Sequence, residues 1–384
     1  MTYNLDPKQQ KVRDEVRKFA EKHVLPRSVE MDRRPPEFPY DIFKEMGKAK
    51  FLGFPTPKEY GGEGKSILEH CTLIEEMSVA DAAIAIVMAV TVLTSTPIEL
   101  FGSEEQKKKY LPKMASGEYI GAFALTEPGA GSDAAAQKTT AVLDGDHYVV
   151  NGEKIFITSG NVADIIILIC RVREGDEGEG KVSALIFDDP KAEGFRTETL
   201  KYKMGIRAST TGRLYFKDVR IPKENLLSEV GKGFRIAMTT LDSARIGVAS
   251  QAVGIAQRAY NEAVKYSLER EQFGKPISAN QAIQWMLADM SCRLEASRLL
   301  TYKAAQMADN GEKYGKEASQ AKLYASESAV FCADRAVQIH GGYGYIGDFS
   351  EIDRLYRDAR ITPIYEGTSE IQRLVIANYI LKGK

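Results

Sequence analysis

After Asp6-Pro7, a helix-start signal, Val12, Val16, Phe19 and Ala20 recur at the i, i+4, i+7, i+8 spacing that places apolar side chains on one helical face. The same period predicts helices over residues 40–50, 66–77 and 103–115, the last opened by Ser103 and Gln106 at capping-box spacing. Residues 82–93 are apolar apart from one threonine, a run too short to span a bilayer and suited to a helix buried on all sides. Residues 1–118 therefore read as a helical domain. Near Tyr119 the pattern changes to short runs rich in Val, Ile, Phe and Tyr, broken by Asp144-Gly145 and Asn151-Gly152, dipeptides that favour hairpin turns. Strands are predicted over residues 140–143, 147–150, 154–158, 165–172, 181–187 and 213–218. The short turns and the lack of a helical pattern between the strands favour antiparallel connections. Residues 119–230 make this β domain. After Gly233 the helical period returns, with long segments over residues 234–266, 280–310 and 316–339 that fit an α-bundle, residues 231–384. The fold class is α+β in three parts, and the two junctions between them are the places to look for a ligand cleft.

Composition narrows the function. The 384 residues carry a net charge of -1 and neither half holds a basic block, which argues against a nucleic-acid or membrane-surface partner. Cys71, Cys170, Cys292 and Cys332, like His23, His70, His147 and His340, are scattered without metal-ligand spacing. No metal site is expected, and the thiols suit a reducing compartment. The N-terminal residues 1–7 have neither an apolar signal core nor transit-peptide character, so a cytoplasmic protein without membrane insertion is expected. Residues 61–66, Gly-Gly-Glu-Gly-Lys-Ser, imitate a phosphate loop, but Glu59 occupies the place of its first glycine and no strand leads in.

Several stretches hold candidate chemistry. In Phe123-Ala124-Leu125-Thr126-Glu127-Pro128-Gly129-Ala130-Gly131-Ser132-Asp133 the three small residues let backbone approach a flat ligand, or simply turn into the first strand. Phe156 and Thr158 share a face at period two, as a stacking surface with a hydroxyl donor or as core and edge. Asp242 and Arg245 are i, i+3 neighbours. Arg270-Glu271-Gln272-Phe273-Gly274-Lys275-Pro276 breaks a helix, and an arginine there suits a diphosphate or an ordinary cap. Gln338-Ile339-His340-Gly341-Gly342-Tyr343-Gly344-Tyr345 opens a formal Gly-x-Gly-x-x-Gly that follows a helix, so a dinucleotide fingerprint fails on context, although the loop can still lie against phosphates. Finally, Pro363 and Gly367 bracket Glu366 in a turn between helices, with Thr368 or Ser369 positioned to cap a last helix whose apolar residues are Ile371, Leu374, Val375 and Tyr379. Such a turn can aim a carboxylate into a cavity, although most glutamates in Pro/Gly turns are solvated.

Taken jointly, the Leu125–Asp133, Gln338–Tyr345 and Tyr365-Glu366-Gly367-Thr368 stretches resemble the signatures and catalytic turn of the acyl-CoA dehydrogenase family, over essentially the whole chain. The resemblance implies a helical N-terminal domain, a β-barrel-like middle domain and a C-terminal four-helix bundle, assembled as a homotetramer, a dimer of dimers. It implies FAD as cofactor. Thr126, Ser132, Phe156 and Thr158 would surround the isoalloxazine, with Phe123, Leu125 and Gly131 in the same loop. Arg270, Gln272 and Phe273 would reach the FAD of a neighbouring subunit, Gln338, Gly341 and Gly342 its diphosphate, and Thr368 and Glu370 the cofactor. Ser132, Asp242, Arg245, Tyr365 and Gly367 would contact the acyl-CoA. Phe156 stands where many relatives carry tryptophan, and the stretch from Tyr345 to Arg354 is one residue longer than the usual signature.

The implied reaction is α,β-dehydrogenation of an acyl-CoA thioester, with Glu366 taking the α-proton and flavin N5 the β-hydride. The Glu366 N–H beside Gly367 is the candidate donor to the thioester carbonyl, and burial is expected to raise the Glu366 pKa. Ala244 stands where some relatives carry the base, and residues 82–90 hold no cation for a dicarboxylic substrate. Thr91 and Thr94 either line the acyl cavity or bond backbone carbonyls. Short or medium straight chains are the default substrate, with branched or alicyclic esters open, and an electron-transferring flavoprotein is the implied acceptor. An acyl-CoA oxidase is disfavoured by the short chain and single bundle. A noncatalytic relative that binds flavin or nucleic acid is disfavoured by Glu366 and the near-neutral charge.

Overall fold

Local capping sets the register of the first helices. The computed structural model describes residues 5–175, 178 and 180–382, so residues 1–4 of the N-terminal stretch read above lie outside the described residues. In α1 (Pro7–His23) the Asp6 carboxylate accepts from Lys8 and Gln9 N–H while the Gln9 side chain returns to the Asp6 N–H, and Val12, Val16 and Ala20 are buried. Two short helices follow, α2 (Ser28–Arg33) and α3 (Tyr40–Lys48). Capping boxes at Ser66/Glu69 and Ser103/Gln106 open α4 (Ile67–Ala80) and α6 (Glu104–Ser116). Between them, α5 (Ala82–Phe101) starts on Asp81, whose side chain accepts from Ala83 and Ile84 N–H.

Helix α5 is longer than its apolar run suggests. It continues through Pro97, and its length and composition would allow it to cross a bilayer. Most of it is instead buried inside the protein. Thr91 and Thr94 do not line the large cavity described below, and their hydroxyls donate to Val87 O at 3.5 Å and Val90 O at 2.8 Å.

The middle of the chain forms one sheet from β1 (Gly121–Ala124), β2 (Thr140–Asp144), β3 (His147–Thr158), β4 (Ile165–Arg173), β5 (Lys181–Phe187), β6 (Phe195–Thr199), β7 (Thr211–Pro222) and β8 (Leu226–Leu227). The order is β6-β7-β3-β2-β4-β5-β8, with β1 also on β4. Most pairings are antiparallel, but β1 pairs parallel with residues 165–168 of β4, and β2 pairs parallel with its residues 171–173. The antiparallel connections expected from the short turns thus predominate, with two parallel pairings beside them. The long loop between β1 and β2 lets both lie along one edge of β4.

Asn151-Gly152 is not a hairpin turn. It is a bulge within the continuous β3, held by the Asn151 side chain, which accepts from Asp218 N–H and donates to the Asp218 carboxylate, both at 2.9 Å. Strand β4 is buried on both faces. Ile166, Leu168, Cys170 and Val172 join the core of the sheet, while Ile165, Ile167 and Ile169 pack with Tyr110, Leu111 and Met114 of α6.

The C-terminal part comprises α7 (Gly233–Glu269), the small hairpin β9 (Glu271–Gln272) and β10 (Lys275–Pro276), α8 (Gln281–Asp309), α9 (Gly315–His340), the single turn α10 (Gly342–Tyr345), α11 (Ile352–Ala359) and α12 (Ser369–Lys382). Helices α7, α8 and α9 pack on one another, and α12 packs on α9. One hydrophobic core runs from Val12 through α4 and α5 into this bundle, so the two helical parts are not separately cored. The apolar residues of α12 are largely uncovered within the chain, Leu374 and Ile380 both being exposed.

Candidate active site

Loops from both junctions meet at one cavity of about 1660 Å³, larger than the ~300–1,000 Å³ of an ordinary ligand pocket and so roomy enough for a dinucleotide beside a second large ligand. Its walls come from α4 and α5, the 123–135 loop, β3, residues 198–206, the first half of α7, and the segment 357–371.

The 123–133 loop is anchored from beneath by a buried lysine. Lys154 is fully buried on β3, and its Nζ donates to Leu125 O at 2.9 Å, Glu127 Oε1 at 2.8 Å and Gln137 Oε1 at 3.1 Å. Glu127 also accepts Lys138 N–H at 2.6 Å and Thr139 N–H at 3.0 Å. Burial works against its ionisation, but Lys154 and these N–H groups outweigh it and hold the carboxyl below its usual range. Burial lowers the pKa of Lys154, with Glu127 opposing. Above this anchor, Cβ atoms at Gly129 and Gly131 would meet nothing, so the loop leaves an open face. Next to it, a register shift between Lys154 and Ile157 and a left-handed Phe156 (φ 61°) turn that ring out, 66% exposed, where it lines the cavity with Thr158. Two open glycines, an outturned aromatic ring and a threonine hydroxyl make a surface fit for a flat, polar-edged ring system, and the cavity volume accommodates FAD.

Across the cavity lies the Glu366 turn. Glu366 (φ 54°) and Gly367 (φ 93°) are both left-handed, a shape that costs a glutamate about 1 kcal/mol. Thr368 is the cap of α12, its hydroxyl accepting Ile371 N–H at 3.3 Å. Glu366 Oε2 is buried and takes no hydrogen bond among the described residues. Burial raises its pKa, with Arg245 and Lys322 pulling it back. Arg245 is buried and pairs with Asp242 at 2.6 Å, its Nε without a partner among the described residues. The Tyr365 hydroxyl and Gln251 are hydrogen-bonded, and Gln251 also donates to Ala82 O at 2.9 Å, forming a wall where α5 begins. Such an unpaired carboxylate, raised in pKa and facing a cavity, is suited to take up a proton.

The structure thus brings Phe123, Leu125, Thr126, Gly131, Ser132, Phe156, Thr158, Arg245, Tyr365, Glu366, Gly367 and Thr368 to one cavity. Asp242 does not line it but pairs with Arg245, which does. Arg270, Gln272, Phe273, Gln338, Gly341, Gly342 and Glu370 also lie outside it within this chain. Phe273 projects from the β9–β10 hairpin, 97% exposed, and Arg270 lies over the Tyr343 ring of α10 at 5.6 Å.

Some residues escaped sequence reading. Lys154 and Lys322 look like surface lysines by residue type, and nothing local marks them as buried. Residues 198–206 carry no motif, yet they form a cavity wall. Asp358, fully enclosed, accepts Ile206 N–H at 2.5 Å and fixes that wall to α11.

Comparison with known proteins places these features in a family. Models described as the acyl-CoA dehydrogenase N-terminal, middle and C-terminal domains match residues 6–118, 122–219 and 231–381. A short-chain specific acyl-CoA dehydrogenase of Clostridium acetobutylicum is 46% identical over all of both chains. Butyryl-CoA dehydrogenase from Megasphaera elsdenii superimposes with a TM-score of 0.94 at 42% identity, covering 99% of this chain and 100% of that one. A chain in a structure titled for the electron-transferring flavoprotein of Acidaminococcus fermentans superimposes with a TM-score of 0.95 at 46% identity, covering 100% of each.

Proposed function

The chain belongs to the acyl-CoA dehydrogenase family, and from that premise we propose residue roles, a substrate preference and an electron acceptor for it. It is an FAD-dependent enzyme that dehydrogenates acyl-CoA thioesters to 2-enoyl-CoA. When bound, FAD supplies the acceptor for the β-hydride. Glu366 removes the α-proton. The observation that carries this is the buried, unpaired Glu366 Oε2 facing the same cavity as the glycine-open loop and Phe156. Removing a proton α to a thioester builds negative charge on its carbonyl oxygen, and the Glu366 N–H is the proposed donor to it. The raised pKa of Glu366 makes it a stronger base once ionised, while Arg245 and Lys322 keep it ionisable.

Thr126, Ser132, Phe156, Thr158 and Thr368, with Phe123, Leu125 and Gly131, are the proposed FAD contacts. Ser132, Arg245, Tyr365 and Gly367 are the proposed acyl-CoA contacts, with Asp242 orienting Arg245. Arg270, Gln272, Phe273, Gln338, Gly341 and Gly342 are assigned to the FAD of a neighbouring subunit of a homotetramer. Their position outside this chain's cavity and the uncovered apolar residues of α12 support that reading. Glu370, at the start of α12 and outside this chain's cavity, is kept as a proposed cofactor contact beside Thr368. Three domains, residues 1–118, 119–230 and 231–384, divide these tasks. A short acyl group is favoured by the names of the relatives and by the Gln251–Tyr365 wall. An electron-transferring flavoprotein as acceptor and a cytoplasmic location complete the proposal. Glu366→Gln tests its centre: FAD and butyryl-CoA should still bind while anaerobic bleaching of the flavin falls by at least ~100-fold. Substantial remaining reduction would place the base elsewhere.

A further inference from the structure

We propose that Lys322 is a positioning residue for the base, an internal ammonium that both aims the Glu366 turn and sets the pH at which Glu366 becomes able to accept a proton. The inference rests on Glu366 being the base. Lys322 lies on α9, fully buried, and its Nζ donates to Gly367 O at 2.7 Å. The same carbonyl accepts Gln372 Nε2 at 2.9 Å, and Glu366 O accepts that amide at 3.2 Å. In a trans peptide the C=O and N–H point in opposite directions. Drawing the carbonyls of Glu366 and Gly367 toward α9 and α12 therefore turns the N–H groups of Gly367 and Thr368 the other way, toward the cavity that both residues line. Neither N–H has a backbone partner among the described residues, whereas Ser369 N–H donates to Pro363 O and Gln372 N–H to Thr368 O. The left-handed pair at residues 366 and 367 persists because two clamps determine it.

The clamps differ in charge. Gln372 is neutral, while Lys322 brings a cation to the base from behind. The charged groups facing Glu366 are Arg245 from α7 and Lys322 from α9, with the Tyr365 hydroxyl beside it. Arg245 exerts the larger pull on Glu366 and is itself paired with Asp242, and Lys322 adds the second. Among the described residues no carboxylate lies within salt-bridge distance of Lys322, whose Nζ bonds Gly367 O instead. Burial lowers its pKa to about 8, with Glu366, Glu370 of α12 and Glu327 of its own helix supporting the ammonium and Arg245 opposing it. Below that pH it remains charged and favours the Glu366 carboxylate.

The test is the pH profile of anaerobic flavin reduction by butyryl-CoA in Lys322→Gln, Lys322→Met and Gln372→Met holoenzymes. Infrared difference titration of the Glu366 carboxyl, with Glu366→Gln as the blank, reads the same ionisation without turnover. Both Lys322 variants should move the acid limb and the infrared pKa up by about one unit, a tenfold rate loss below the limb. Lys322→Gln, which keeps a donor to Gly367 O, should retain more of the plateau rate than Lys322→Met. Gln372→Met should lower the plateau without moving the limb. An unmoved limb in Lys322→Gln, or an equal movement in Gln372→Met, overturns the assignment. If Lys322→Met does not fold, the Gln variant decides. Active Glu366→Gln would instead refute the base itself, and inactive Glu366→Gln with an unmoved limb in Lys322→Gln would refute only the role of Lys322.

Discussion

Replacing Lys154 by methionine removes a cation from beneath the 123–133 loop while preserving most of the side chain's volume. Three contacts of 2.8–3.1 Å disappear together. The Leu125 carbonyl and Gln137 Oε1 lose a donor, and Glu127 loses its counter-ion within a buried setting. Breaking a buried ion pair by deleting one partner costs about 3–5 kcal/mol. The lower end applies here, because Glu127 keeps the Lys138 and Thr139 N–H groups at 2.6 and 3.0 Å. We expect about 3 kcal/mol from urea unfolding of the apoprotein. The Kd for FAD should weaken at least tenfold, since Leu125 O and Thr126 belong to the loop that Lys154 holds. Adding Glu127→Gln removes the stranded charge and should recover half or more of the lost stability. A loss below ~1 kcal/mol in Lys154→Met, or no recovery in the double variant, refutes the view that this pair anchors the loop.

Two other substitutions test the opposite wall. Gly367→Ala places a methyl group 2.7 Å from Gln372 Nε2 at φ 93°, so it should cost about 1–2 kcal/mol and lower the rate of flavin reduction more than it weakens butyryl-CoA binding, as separate single-turnover and binding titrations would show. Burial raises the Asp358 carboxyl to about 7 against the pull of Arg354. The folded chain therefore holds a proton there that the unfolded chain releases as pH rises above about 4, and stability falls between about 4 and 7, levelling off above. Asp358→Asn should flatten that stretch of the stability–pH curve by up to ~4 kcal/mol, and an unchanged slope would mean that Asp358 is ionised throughout.

Signals confined to a few neighbouring residues were legible in the sequence. Ser103/Gln106 announced α6, the long helical periods announced α7, α8 and α9, and several short stretches in order identified the family. Asn151-Gly152 misled because a residue far along the chain, Asp218, holds the Asn151 side chain and keeps β3 running through a bulge. The edge strand β6 went unread because its side chains are mostly exposed and show no alternation. Helix α5 outran its apolar stretch because Thr94 and Thr96 satisfy themselves on carbonyls one turn back. In the site, Glu366 and Phe156 could be named from the resemblance, but their left-handed backbone could not. Lys154, Lys322 and Asp358 stayed invisible because burial of an ionisable group is a property of the packed chain.

The left-handed backbone at Glu366 has an evolutionary consequence. At one position the chain carries a non-glycine residue with φ 54°, a buried oxygen without a hydrogen-bond partner among the described residues, and a carboxyl whose ionisation burial opposes. Glycine would relieve all three, and asparagine the backbone and the charge. Selection for folding alone therefore runs against the base. Drift without demand for the chemistry would replace this glutamate, leaving a stable flavin binder on an otherwise intact scaffold.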